Sequence, residues 1–445
     1  MRVNTSAAWL VLAIAASCSA GYAAEEKQSR DALFEDEKTP AAEAGQGWKG
    51  FAQMDLARTV ADPAHGSKAR LLLELNRQGS FSESVKWQIG GRFNYDAVYD
   101  RSSDYPQSVK QDQRGAFSLR ENYLDIASGD WDLRLGRQHV VWGEMVGLFF
   151  ADVVSAKDMR EFLLPEFELL RIPQWAARAE YFKNDWHAEA LWIPAPSFDE
   201  IGKPGADFYP TLLPGPGGTV IQGEAKPARK LGNSNYGLRL STLRNGWDVS
   251  GFYYHSIDSA ATFYRDLVAG PAPTFVYSPR HDTIDQVGGT LAKDLGWTVL
   301  KGEAVYTDGR QFNVARLTQA NGLVAQRTLD YALGLDFTPA SDVRFNVQLF
   351  QRLYANHDPD ILQERRESGA SLLVNGKLRA TLEGQVLLIS SLNRSDYLIR
   401  PRLVWSYAQN WRLMGGVDVF HGPPTGLFGR YDRQDRVYAE LRYSF

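Results

Sequence analysis

The residues best placed to do chemistry are concentrated in one long irregular segment, 138–174. It runs Val140-Val141-Trp142-Gly143-Glu144, then Phe149-Phe150-Ala151-Asp152-Val153-Val154, then Ser155 to Leu164, and ends at Arg171-Ile172-Pro173. Its polar candidates are Trp142, Glu144, Asp152, Asp158, Arg160, Glu161 and Arg171. Mixed charges on an inserted loop would pair with wall charges and limit what passes a pore. Ser155 followed by Asp158 reads as a capping box and predicts a short helix at 156–163. Phe149, Phe150, Phe162, Leu163, Leu164, Phe167 and Leu169 would form a large apolar liability if left in water, so the segment is expected to fold inward. The competing expectation is a hydrophobic lid on the rim.

Other chemistry finds less support. The seven histidines, His65, His139, His187, His255, His281, His357 and His421, are scattered and sit in no nucleophile motif. A barrel-borne lipase needs a Ser–His pair with an orienting Asn, and a rim protease needs Asp and His together. The chain is therefore read as a non-enzyme with no cofactor. No EF-hand or histidine-cluster metal motif is present, although an Asp-rich loop could hold calcium. A net charge of −4 argues against a nucleic-acid partner.

A second set of charges alternates with apolar residues. Basic members include Arg70, Arg92, Arg134, Arg178, Arg239, Arg344, Arg379, Arg400, Arg402 and Arg412; acidic ones include Glu74, Asp96, Glu180, Glu189, Glu303, Asp330, Asp336, Glu383 and Asp418. They serve either as cross-strand pairs that fill a lumen or as a charged path for a solute.

The elements that must carry these charges have a period of two. Val85, Trp87, Ile89, Phe93 and Tyr95 alternate with Lys86, Gln88, Arg92, Asn94 and Asp96 in a strand placed at Val85–Tyr99. Thr328–Thr338 and Leu378–Ile389 behave alike. Each run has about the length of a tilted membrane-spanning strand. Short polar turns lead straight into tryptophan at Trp131, Trp186, Trp247, Trp297 and Trp411, while Trp48 and Trp87 open earlier strands. Tryptophan favours the membrane interface, so these turns mark one girdle, on the periplasmic side. Pro339–Asp342 and Asn375–Lys377 are read as further short turns. The opposite connections are long, including 138–174, 194–233 and 256–281, the last two being expected to be irregular and mobile. The pattern predicts an all-β transmembrane antiparallel β-barrel of about 18 strands (16–18), with long extracellular loops and short periplasmic turns. A large soluble β-sandwich or β-helix is the alternative.

The ends fit a barrel in the bacterial outer membrane. Residues 1–24 read as a signal peptide, with Arg2 before the apolar Ala7–Ala16. Cys18, the one cysteine, lies inside it and is a possible lipidation site. Residues 25–47 read as a polar periplasmic tail, with a short helix near Asp31–Glu37 as an option, and 48–445 as the barrel. Val437, Ala439, Leu441, Tyr443 and Phe445 alternate with polar residues, and Tyr443 and Phe445 match the terminal signal that the barrel-assembly machinery reads. Outer-membrane lipid and lipopolysaccharide are the surrounding partners. The 23 residues at 25–47 are too few for the folded plug of a TonB-dependent receptor.

VVWGE at 140–144, DVVSAKDMREF at 152–162 and RIPQW at 171–175 resemble an uncharacterised family of Gram-negative outer-membrane proteins that share a WGE motif, a DVVNPxDxRE-like stretch and a RIP motif. GGVDVFHG at 415–422, LFGRYD at 427–432 and DRVYAELRYSF at 435–445 are similar too. Ser155-Ala156 stands where the family has Asn-Pro. The resemblance implies a β-barrel often encoded beside an inner-membrane exporter of the resistance-nodulation-division (RND) type and a periplasmic lipoprotein-like partner. It further implies a channel or transport component for a hydrophobic or lipid-like compound. A general or substrate-specific porin for small polar solutes is the alternative, and a surface lipase or protease on a barrel scaffold is the reading from another class.

Overall fold

The computed structural model describes residues 47–143, 145, 151–210, 213, 218–268 and 274–445. The signal peptide, nearly all of the tail, Glu144, Phe149 and Phe150 lie outside them. The residues from Trp48 to Phe445 form one compact unit.

That unit is an antiparallel β-barrel of 18 staves. In chain order they are Lys49–Thr59, Gly66–Ser80, Val85–Asp96, a fourth made of Gly115–Leu119 and Asn122–Ser128, then Trp131–Gln138, Gln174–Lys183, Trp186–Ala195, Asn235–Arg244, Trp247–Ile257, Thr283–Asp294, Thr298–Asp308, Thr328–Ala340, Val343–Tyr354, Arg366–Arg379, Leu382–Ser391, Tyr397–Ala408, Trp411–His421 and Arg436–Ser444. Both parts of the fourth stave pair with Val85–Asp96, and they part at Arg120 and Glu121. The first and last staves pair from Phe51↔Ser444 to Thr59↔Arg436, which closes the cylinder. Phe445 and Gly50 exchange two backbone hydrogen bonds of 2.9 Å. Closure pairs the edges of the first and last staves, which a membrane would otherwise leave unsatisfied.

The burial pattern excludes the soluble alternatives. Gln348, Asp330 and Asp336 are buried, whereas Leu238, Leu333 and Leu349 are 62%, 55% and 57% exposed. A sandwich buries its apolar face; here that face points outward and the polar face inward, the arrangement that lipid requires. Trp131, Trp186, Trp247 and Trp411 open their staves, and Trp297 sits in the turn before Thr298. At Asn245-Gly246 both residues have positive φ, 54° and 71°, the two-residue turn that matches strand twist.

Four local expectations need correction. The third stave ends at Asp96, and Val98–Arg101 is a helical turn, since the Asp96 carboxylate turns back to accept from the Val98 and Ala69 N–H groups, both at 3.0 Å. Asn375–Lys377 is not a turn: Asn375 and Gly376 pair with Arg344 and Val343, and the chain reverses at Ala380-Thr381. A turn at 375 would orphan that ladder. Segments 194–233 and 256–281 are not wholly irregular. Thr262–Val268 and Thr274–Arg280 form a hairpin, joined in parallel by Gly218–Ile221, over Phe263, Phe275 and Tyr277. The helix predicted at 156–163 is also absent; its reason lies in the insert itself.

Candidate functional site

The site is built by the segment that leaves the wall after Gln138 and returns at Gln174. The Ser155 hydroxyl donates to the Val140 carbonyl at 3.0 Å, so it is not available as a helix cap. Ala156–Lys157 instead pairs with Arg171–Ile172, folding the segment into a hairpin. Asp158 takes the Arg160 guanidinium at 2.6 Å, and the helical turn falls later, at Phe167–Leu170.

Side chains of the inner wall hold this segment along its length. Trp142 is 1% exposed and donates to Glu189 Oε1 at 2.9 Å, with its ring against Phe252 and Tyr254. Gly237 makes the seat possible, since a Cβ there would stand 2.7 Å from the Trp142 ring. Glu303 accepts from the Met145 N–H at 2.8 Å and the Ala151 N–H at 3.0 Å. Arg400 donates to the Leu164 carbonyl at 2.8 Å, and Arg92 to the Leu169 carbonyl at 3.1 Å. Arg120 donates to the carbonyls of Glu168 at 2.7 Å and Arg171 at 3.0 Å. Glu166 meets Arg442 at 3.1 Å and Arg412 at 3.2 Å. Glu161 meets Lys68, Arg70 at 2.7 Å and Arg436 at 3.6 Å. These anchors run from the staves flanking the closure seam to staves half-way round the barrel. Burial alone would raise both carboxyls, but for Glu161 the Lys68, Arg70 and Arg436 charges win, and for Glu166 the Arg412, Arg442 and Arg402 charges do, so both titrate below the usual range.

The apolar residues fill two seats. Val140, Trp142, Ala151 and Val154 pack with Leu191, Ile193, Phe252 and Val305. Phe162 and Leu164 pack with Phe208, Phe420, Phe428 and Tyr431, the last two from the loop before the final stave. Phe162 holds φ at 54°, a conformation costly for a residue with a Cβ, so the aromatic seat must overcome local strain.

The charged candidates divide by their partners. Asp152 and Arg171 pair with each other at 2.9 Å, and Asp158 with Arg160; these ties are internal to the segment, contrary to the expectation that all would reach wall charges. Glu161 and Glu303 do link wall and segment. Arg92 pairs with Glu74, Arg134 with Asp125 and Arg178 with Glu180, all within the wall. Arg402 contacts Met414. Arg344, Arg379 and Glu383 stay exposed near the short-turn mouth and do not join the segment. Sequence reasoning missed Arg120, Arg137, Glu166 and Arg436, and it did not use Arg442. Arg442 shares the inward parity of Glu440 and could have been found; Arg120 lies where the fourth stave breaks, so periodicity gives no signal.

Two polar cavities flank the segment. One, of about 310 Å³, is lined by Arg70, Arg92, Arg120, Arg137, Arg160 and Glu161 among others. The second, of about 320 Å³, lies among Asp152, Asp258, Arg310, Asp330 and Arg352.

Solved structures share the fold at low identity. OccAB1 of Acinetobacter baumannii is 7% identical with a TM-score of 0.56, covering 89% of this chain and 95% of its own. OccK8 (OprE) of Pseudomonas aeruginosa is 9% identical with a TM-score of 0.51, covering 89% and 97%. OccAB3 of A. baumannii is 8% identical with a TM-score of 0.51, covering 89% and 98%. No curated protein sequence matches the chain significantly. One family does match, over residues 15–365, which is most of the chain and includes the whole inserted segment, and the chain therefore belongs to the family described as protein of unknown function (DUF1302).

Proposed function

We propose that this protein is an outer-membrane transport component in which segment 138–174 obstructs the axial route through the barrel. Its passenger is a hydrophobic or lipid-like compound handled with an envelope export system. The observation that carries the obstruction is the set of anchors to opposite walls, at Glu303 on one side and at Arg70, Arg412 and Arg442 on the other. Such ties keep backbone and charge satisfied across the lumen. The closed cylinder and its apolar outer face support the membrane location. The exporter and the periplasmic partner rest on the family resemblance and are testable by affinity capture from crosslinked cells. The reading includes no catalysis; His65 with Asp207, and His281 with Glu224, join outside loops, and His187 stands within the wall between Ser241 at 3.3 Å and Glu180 at 3.0 Å.

Deleting residues 150–168 is expected to raise single-channel conductance in planar bilayers and to sensitise cells to bulky antibiotics. A deletion variant that assembles normally with unchanged conductance would reduce the segment to a lid. A second reading, a porin for small polar solutes, is favoured by the charged lining of both cavities. Swelling of liposomes holding the intact protein in sugars or amino acids would favour that porin; no swelling favours the obstructed channel.

A further inference from the structure

The wall is incomplete where the inserted segment leaves it. Gly115–Leu119 pairs with Val85–Asp96 along one edge, and no strand of the described residues pairs with its other edge. The cause is the next stave. Trp131–Gln138 has 8 residues, whereas a tilted strand needs about 9–11 to cross a bilayer. It stops at the level of Asn122↔Arg137 and Gln138↔Gln174, after which the chain runs inward to Trp142. Beyond that level the outer half of the fourth stave borders an opening.

The cavity of about 310 Å³ reaches this opening. Its lining includes the inward Arg92 and Arg120, and also Phe117, Arg137 and Ile172. Phe117 is 70% exposed on the outer face, opposite Phe93 in register. Backbone groups on an unpaired strand edge are not stable in hydrocarbon, so the gap must be wet or filled by a polar group. Charge decides which group. Three acids of the cavity are tightly paired, Glu161 by Arg70, Asp158 by Arg160 and Asp207 by His65, and Lys203 stands 4.0 Å from Asp112. Arg137 has no ion pair among the described residues, and its Nε has no hydrogen-bond partner.

We infer that this gap is a side portal in the outer-leaflet half of the wall, and that it takes a single-tailed acidic amphiphile. The carboxylate sits on Arg137, which lines the cavity from the gap opposite Trp175 in register, and the tail leaves over Phe117 and Leu119 on the membrane face. The inference rests on the lipid-like reading of the passenger and adds its head group and its route.

The test uses the full barrel in nanodiscs and a dodecanoate analogue with a photoreactive diazirine in its tail. Adducts are mapped by mass spectrometry. Labelling should concentrate at 115–119 and Ile172, above the general labelling of other lipid-facing staves such as Asn235–Arg244. Dodecanoate should compete, whereas dodecylamine and dodecanol should not. Arg137→Gln should lower portal labelling about tenfold, the size expected for one lost charge-assisted hydrogen bond, and Arg137→Lys should retain most of it. Uniform labelling round the barrel, equal competition by the amine, or an unchanged pattern in Arg137→Gln would overturn the portal. Preferential labelling by a photoreactive phosphatidylglycerol that dodecanoate does not displace would overturn the single-tailed occupant. If portal labelling fails while the 150–168 deletion still raises conductance, the portal falls and the obstructed channel stands.

Discussion

Replacing Glu161 with Gln tests whether the lumen segment is locked by charge. Glu161 is the acid on which three wall cations converge. Removing one partner of a buried ion pair costs about 3–5 kcal/mol. The lower end applies here, because Arg70 keeps Asp55 at 2.6 Å and Arg436 keeps Asp418 at 2.8 Å. Lys68 loses the partner it had. About 3 kcal/mol corresponds to a shift of roughly 100-fold in the balance between seated and released segment. In planar bilayers the variant should show frequent large openings that are rare in the parent. The pH dependence gives a second reading. The pKa of Glu161 is depressed by its cations, so its contribution is present above the ordinary glutamate range and is lost only as pH falls through the lowered value. The parent should stay closed from pH 8 to pH 5 and begin to open only in stronger acid, and Glu161→Gln should show a smaller acid step, the remainder belonging to Glu166. An assembled variant with parental opening frequency at every pH would refute the lock.

Three further outcomes follow from the same geometry. Trp142→Phe removes the indole donor from Glu189 and leaves that buried acceptor without its partner; thermal unfolding in detergent should show a loss of about 1–3 kcal/mol. At Phe162, both Ala and Gly lose the aromatic seat, but only Gly relieves the positive φ, so Phe162→Gly should be the more stable of the two by about 1 kcal/mol in the same melt, a reversal of the usual order. Deleting Phe445 removes the two hydrogen bonds to Gly50 at the seam, and the fraction of heat-modifiable barrel on unboiled gels should fall sharply.

The staves were legible because lipid outside and polar groups inside impose a strict alternation, and because tryptophan marks the turns, as at Gly129 to Trp131 and Asn245 to Trp247. The misplaced turn at Asn375–Lys377 shows the limit. Local turn chemistry there is overruled by the ladder that Val343 and Arg344 require. The inserted segment was visible as an apolar liability, but not its internal pairing. Ser155 and Asp158 have the spacing of a helix cap, and only tertiary contacts assign their oxygens to Val140 and Arg160. Arg137 was hidden for another reason: Gly136, at φ 133°, precedes it at the end of a short stave, where a period of two no longer tells inside from outside.

The anchors of the lumen segment also constrain the order in which this protein can be assembled. Glu166 is bonded to Arg412 and Arg442, which stand on the last two staves. Until those staves arrive, burying Glu166 would strand a charge, so the segment cannot settle early however soon its own residues are made. Seating can then come only after the last two staves have docked, late in folding. A half-inserted barrel, with its last staves still undocked, would carry a loose segment with its apolar side chains uncovered. The same carboxylate that ties the segment in the finished barrel is thus left without its two cations in an unfinished one.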